Sequence, residues 1–135
     1  MFRLLFMFAG LSGLASVVAG AFGAHALKGL LDPKMFSVFE TAVQYQMSHS
    51  LVLLLTCLLI QQWKYTRPLR YASYAFCLGI VCFSGSLYVL ALTNMTWPGP
   101  VTPLGGIFLI SGWILLCIGI WQNALLQRHD SSEQK

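Results

Sequence analysis

From Tyr71 through Gln127 the chain carries no Asp, Glu, Lys or Arg. A water-soluble domain sets charge on nearly every element it exposes, so a segment this long without any has hydrocarbon as its solvent. In that solvent every backbone N–H and C=O must be satisfied within the spanning structure, which leaves helices or closed barrels. The apolar runs here are continuous, and no alternating barrel-strand pattern competes with them. The chain therefore reads as an all-α integral membrane protein.

Four apolar stretches, residues 4–26, 42–62, 71–92 and 103–125, are long enough to cross ~30 Å of hydrocarbon at ~1.5 Å per residue. This predicts one four-span domain over residues 1–127 and a polar, disordered tail over 128–135. Arg3, an apolar run and Ala19-Gly20-Ala21 also fit a signal peptide, but the segment is read as the first span. With four spans, Arg3, Lys64, Arg67, Arg70, Arg128 and Lys135 share one side, against Lys28 and Lys34 on the other. The positive-inside rule then puts both termini in the cytoplasm. It also accounts for the net charge of +4 without a nucleic-acid partner. Trp63, Trp97 and Trp121 fall near span ends, as an interfacial aromatic belt requires. Cys57, Cys77, Cys82 and Cys117 lie inside apolar segments and read as small packing residues.

Residues 30–45 mix Met35, Phe36, Val38, Phe39 and Val43 with Lys34, Ser37, Glu40, Thr41 and Gln44. With Asp32 as N-cap and Pro33 at the first helical position, they predict a short external amphipathic helix leading into the second span.

Helices in a bilayer associate through close approach of small residues. Ala9, Gly13, Ser16, Gly20 and Gly23 form such a seam on the first span. Ala72, Ala75, Gly79, Cys82 and Ser86 do so on the third, and Gly105, Gly112 and Gly119 on the fourth. The expectation is a tight four-helix bundle, with seams also able to bring copies together as a homo-oligomer. A pore lined by these seams is the competing reading, but pores need polar linings and the seams offer few.

Polar groups at membrane depth are costly and mark candidate sites. They are His25, ending the first span; Glu40 and Gln44, four apart on one face; Tyr45 and His49, four apart on the adjoining face; and Ser84 and Ser86, interrupting the third. Thr41, Ser48 and Asn94 lie nearby. Two histidines and a carboxylate admit metal binding or proton transfer, although their spacing is no metal motif. The simpler reading is interhelical hydrogen bonding, Glu40 or Gln44 with His25, and His49 with a serine or a backbone carbonyl. Catalytic motifs are absent from the sequence, so no enzyme, cofactor or metal is expected.

Gly20-Ala21-Phe22-Gly23-Ala24-His25, Thr41-Ala42-Val43-Gln44-Tyr45-Gln46 with His49, Phe83-Ser84-Gly85-Ser86-Leu87-Tyr88, and Pro103-Leu104-Gly105-Gly106 with Gly112-Trp113 occur in that order. This set resembles the YgdD-like family of small four-helix membrane proteins, domain of unknown function 423, to which transmembrane protein 256 of eukaryotes is similar. The resemblance spans nearly the whole chain. It implies a bacterial inner-membrane protein and gives motif positions at His25, Gln44, His49, Ser84, Ser86 and Gly106, without assigning them an activity.

The functional expectation is a non-enzymatic, oligomeric protein that binds a membrane lipid, a small ligand or a membrane-protein partner. The alternative is a small oligomeric transporter or channel in which Glu40, His25 and His49 couple to protons or ions.

Overall fold

The computed structural model describes residues 2–63, 66–95 and 99–133, without the side chains of residue 2 and residues 127–133. Helix α1 (Phe2–Phe22) passes into a π-helical turn, Gly23–Leu27, closed by Lys28 N donating to Gly23 O at 3.1 Å. Helix α2 is Pro33–Gln62. The third span is α3 (Arg67–Gly79), a second π turn (Ile80–Ser84) and α4 (Gly85–Thr93), which follow one another without a break. Helix α5 is Val101–Glu133. Four of these stretches, Arg3–Leu27, Pro33–Gln62, Arg67–Thr93 and Val101–Leu126, are long and apolar enough to cross a membrane.

Local chemistry sets the helix ends. Asp32 accepts a 2.8 Å hydrogen bond from Lys34 N, and Pro33, whose missing N–H costs nothing there, takes the first helical position. Asn94 ends α4 in the left-handed region (φ 54°), its N–H returning to Leu90 O.

Two expectations need correction. The amphipathic segment is not a helix of its own. It forms the first turns of a single 30-residue α2, because nothing between Pro33 and Gln62 interrupts the backbone ladder; its polar residues changed the hydropathy but not the helix. The tail from Arg128 was expected to be disordered, yet α5 continues to Glu133, since Gln, Arg and Glu are good helix formers and simply extend the ladder. Lys64, Trp97 and Lys135, used in the orientation and belt arguments, lie outside the described residues.

The third span sits innermost, with 39% of its apolar window buried against 17% for the first. It packs along α5 on one side and α2 on the other, and α1 lies against α2. The α3–α5 contact is built on missing side chains. A Cβ at Gly112 would meet the Phe76 ring at 2.7 Å and one at Gly119 would meet Leu69 Cδ2 at 2.5 Å. At Gly79 it would strike Leu109, and at Gly105 the backbone of Phe83. On α1, Gly23 is equally tight, facing the Phe39 ring at 2.8 Å, whereas Gly20 and Gly13 have ordinary contacts at 3.4 and 3.9 Å. Large apolar side chains cover the outer faces of the spans, with Leu4, Leu14, Val18, Leu51, Ile110 and Ile114 all more than half exposed. That pattern suits a hydrocarbon solvent and would aggregate in water.

Candidate functional site

The polar residues singled out from sequence gather at the end of the molecule opposite the termini, around the first half of α2, but they do not form one cluster. Glu40 and Gln44 line a groove on one side of α2, Gln44, Tyr45 and His49 a groove on the other, and His25, Ser84 and Ser86 line neither; a further polar set lies deeper.

The first groove, ≈ 530 Å³, runs between the end of α1 and the start of α2. Gly20, Gly23, Phe39 and Val43 line its floor; Lys28, Glu40 and Gln44 supply its polar groups. Lys28, Glu40 and Gln44 are all exposed. Among the described residues, no ion pair joins Lys28 to Glu40, and neither Glu40 nor Gln44 bonds to His25. His25 is exposed on the π turn and does not line this groove. The expected His25 bond is thus not formed: the π turn leaves His25 on the exposed side, while Gly23 packs on Phe39.

The second groove, ≈ 510 Å³, lies between α2 and α5. Gln44 borders both grooves; Tyr45, Ser48, His49, Phe83, Gly106 and Trp113 line this one. His49 is buried, with Nδ1 2.8 Å from Tyr45 O and Nε2 3.3 Å from the Trp113 indole nitrogen. A backbone carbonyl can only accept and an indole N–H can only donate. The two partners therefore fix one neutral tautomer, Nδ1–H donating to Tyr45 O and Nε2 accepting from Trp113. The carbonyl contact is the alternative that sequence reasoning allowed. Around it, Tyr45 packs on Phe83 at 4.5 Å, and Phe76 meets Trp113 edge to face at 5.9 Å.

The third set was missed. Gln46 donates from Nε2 to Ser12 O (3.0 Å) and Ser12 Oγ (3.3 Å), while its Oε1 accepts from Tyr88 OH at 2.7 Å. Ser50 Oγ lies 2.8 Å from Ser12 Oγ and 2.6 Å from Gln46 O. One uncharged network thus ties α1, α2 and α4 together. The available signal was Gln46 and Ser50 four apart, on the face that also buries Leu53 and Cys57; attention to ionisable groups passed over it. Ser84 and Ser86 part company, as two residues in a helix must. Ser86 bonds Thr102 of α5 at 2.7 Å, whereas Ser84 is buried without a partner.

The His49 nitrogens are both engaged, and among the described residues no three His, Cys, Asp or Glu side chains come together as metal ligands.

Comparison with known proteins agrees with this architecture. Residues 19–106 match the family model described as "Protein of unknown function (DUF423)". A UPF0382 membrane protein of Staphylococcus haemolyticus is 41% identical over 120 residues, covering 89% of this chain and 97% of the relative. The UPF0382 membrane protein YwdK of Bacillus subtilis is 39% identical over 108 residues (80% and 88%). The UPF0382 inner membrane protein YgdD of Escherichia coli K12 is 36% identical over 121 residues (87% and 88%). No solved structure matches. The chain is a four-span membrane protein and belongs to the DUF423 family.

Proposed function

We propose that this protein is a non-enzymatic, lipid-binding protein of the bacterial plasma membrane that holds a zwitterionic phospholipid in the groove between α1 and α2. The observation that carries this reading is the placement of Lys28 and Glu40, opposite in charge and unpaired with one another, at the polar rim of a groove floored by Gly20, Gly23, Phe39 and Val43. A headgroup phosphate fits the ammonium of Lys28, and a headgroup amine fits the carboxylate of Glu40, while an acyl chain follows the apolar floor. The name of the E. coli relative supports an inner-membrane location. The excess of basic residues at the terminal end supports cytoplasmic termini. Self-association belongs to the proposal as well. The first span is the least enclosed, and a Cβ at Gly10 meets nothing within 4 Å, so a second copy has close backbone access there.

Native mass spectrometry of protein released gently from membranes tests both parts, since it reads copy number and retained lipid together. Charge-assisted hydrogen bonds contribute ~1.5–3 kcal/mol each, so the Lys28→Gln, Glu40→Gln double variant should hold phospholipid at least tenfold more weakly than wild type. Identical lipid retention by the two proteins would remove the groove's claim.

A further inference from the structure

Among the described residues, Ser84 Oγ is the one buried hydroxyl without a hydrogen-bond partner, and Ser84 is only 2% exposed. Other hydroxyls at membrane depth close on their own helix: Ser50 on Gln46 O, Thr56 on Val52 O and Ser73 on Leu69 O. Ser84 ends the π turn Ile80–Ser84, whose wider winding takes its side chain out of register with the carbonyl four residues back. Leaving a buried hydroxyl unpaired costs ~1–3 kcal/mol, and π turns are frequent at functional sites.

Ser84 lines a groove of ≈ 380 Å³ walled by Phe8 and Leu11 of α1 and by Ile80, Val81 and Tyr88 of the third span. No charged side chain borders it. Gln46 lies at its back, already bonded to Ser12 and Tyr88. The groove therefore has one unpaired hydroxyl in its wall, among apolar and aromatic side chains, for a ligand without charge. Depth narrows the class further. Ser84 lies nine residues before Thr93, or ~13 Å below that helix end, which in a ~40 Å span puts it ~8 Å beneath the hydrocarbon boundary. Phospholipid esters and headgroups stay at that boundary, so the acceptor reaching Ser84 belongs to a molecule dissolved in the hydrocarbon itself.

We propose that this groove binds an uncharged, carbonyl-bearing ring of the isoprenoid-quinone class, with Ser84 donating its hydroxyl hydrogen bond to a ring carbonyl. Phe8 and Tyr88 supply aromatic surface for the flat ring, and the open side of the groove passes its tail to the bilayer. This site is separate from the phospholipid groove, and neither proposal depends on the other.

The test uses the full chain in detergent with decylubiquinone as probe, reading bound probe by native mass spectrometry and the thermal midpoint with and without it. Two variants accompany wild type. Ser84→Ala removes the donor. Gly85→Leu extends a side chain from a position that lines the groove and where a Cβ meets nothing within 4 Å, so it obstructs the groove without displacing protein. The expected result is one probe per wild-type chain, binding about fivefold weaker in Ser84→Ala, and none in Gly85→Leu. The ligand-free midpoint of Ser84→Ala should equal or exceed that of wild type, because an orphan is removed. The proposal is overturned if wild type takes no probe, if all three proteins bind equally, or if phospholipid replaces decylubiquinone as the molecule that Gly85→Leu excludes. A lowered ligand-free midpoint in Ser84→Ala also overturns it, assigning the hydroxyl to the fold.

Discussion

Gly105→Ala is the sharpest single test of the packing. A Cβ there would stand 2.7 Å from Phe83 Cα and 2.8 Å from Phe83 Cβ, with Phe83 N closer still. Carbon atoms prefer ~3.5–4.0 Å, so α5 must back away from the third span by about 1 Å. No rotamer change relieves this, because the obstacle is backbone. Overpacking of this kind costs ~1–3 kcal/mol. The Ser86–Thr102 hydrogen bond, 2.7 Å long and three residues from Gly105, should stretch with it, and membrane hydrogen bonds contribute ~0.6 kcal/mol on average. The expected loss is thus ~2–3 kcal/mol. Reversible unfolding in mixed micelles measures it, with Gly85→Ala as control, since a Cβ at Gly85 meets nothing within 4 Å. The control should lie within ~0.5 kcal/mol of wild type. If Gly105→Ala matches its control, the two backbones are not in contact at this level and the reasoning fails.

Three further outcomes follow from the described contacts. Tyr88→Phe leaves Gln46 Oε1 without its donor and should lower stability by ~1 kcal/mol; Gln46→Leu, which breaks all of that residue's side-chain bonds, should cost ~1–3 kcal/mol in the same unfolding assay. The ¹⁵N shifts of His49 should report the neutral Nδ1–H tautomer, and His49→Phe should move the Trp113 indole N–H resonance to a non-hydrogen-bonded position; an unmoved resonance would contradict the bond. Asp32→Ala removes the cap on Lys34 N and should cost ~1 kcal/mol, seen as faster amide exchange confined to the first turn of α2.

Hydropathy alone made the spans legible, and the limits of that signal explain where the reading stopped short. The second span was expected from residue 42 and begins at Pro33. Glu40, Lys34 and Ser37 lower the apolar average without weakening the helix, whose true start is written in Asp32-Pro33. The two π turns left no such mark. A π turn is one extra residue accommodated in a helix, chosen by what packs beside it: Phe39 on Gly23 at the first, and Gly105 on Phe83 at the second. Because each turn rotates the residues that follow or precede it, the fates of His25, Ser84 and Ser86 were not readable from periodicity at 100° per residue. Helix rotation put Glu40 on one groove and Tyr45 and His49 on another, and left His25 outside both.

The distribution of polarity separates two jobs. Where the molecule needs helix register at membrane depth, it uses groups that stay neutral and satisfy one another: Ser12, Gln46, Ser50 and Tyr88 leave no charge in hydrocarbon. His49 likewise spends both ring nitrogens on register, one on Tyr45 O and one on the Trp113 indole. Lys28 and Glu40 are the opposite case. They are charged, exposed and unpaired with each other at the edge of a groove, so they contribute nothing visible to register, and replacing both should leave folding stability nearly unchanged. A pair of charges that the fold does not use is more economically explained by something the fold binds. If the Lys28→Gln, Glu40→Gln protein instead loses more than ~1 kcal/mol in the micelle assay, the two charges serve the fold and that distinction collapses.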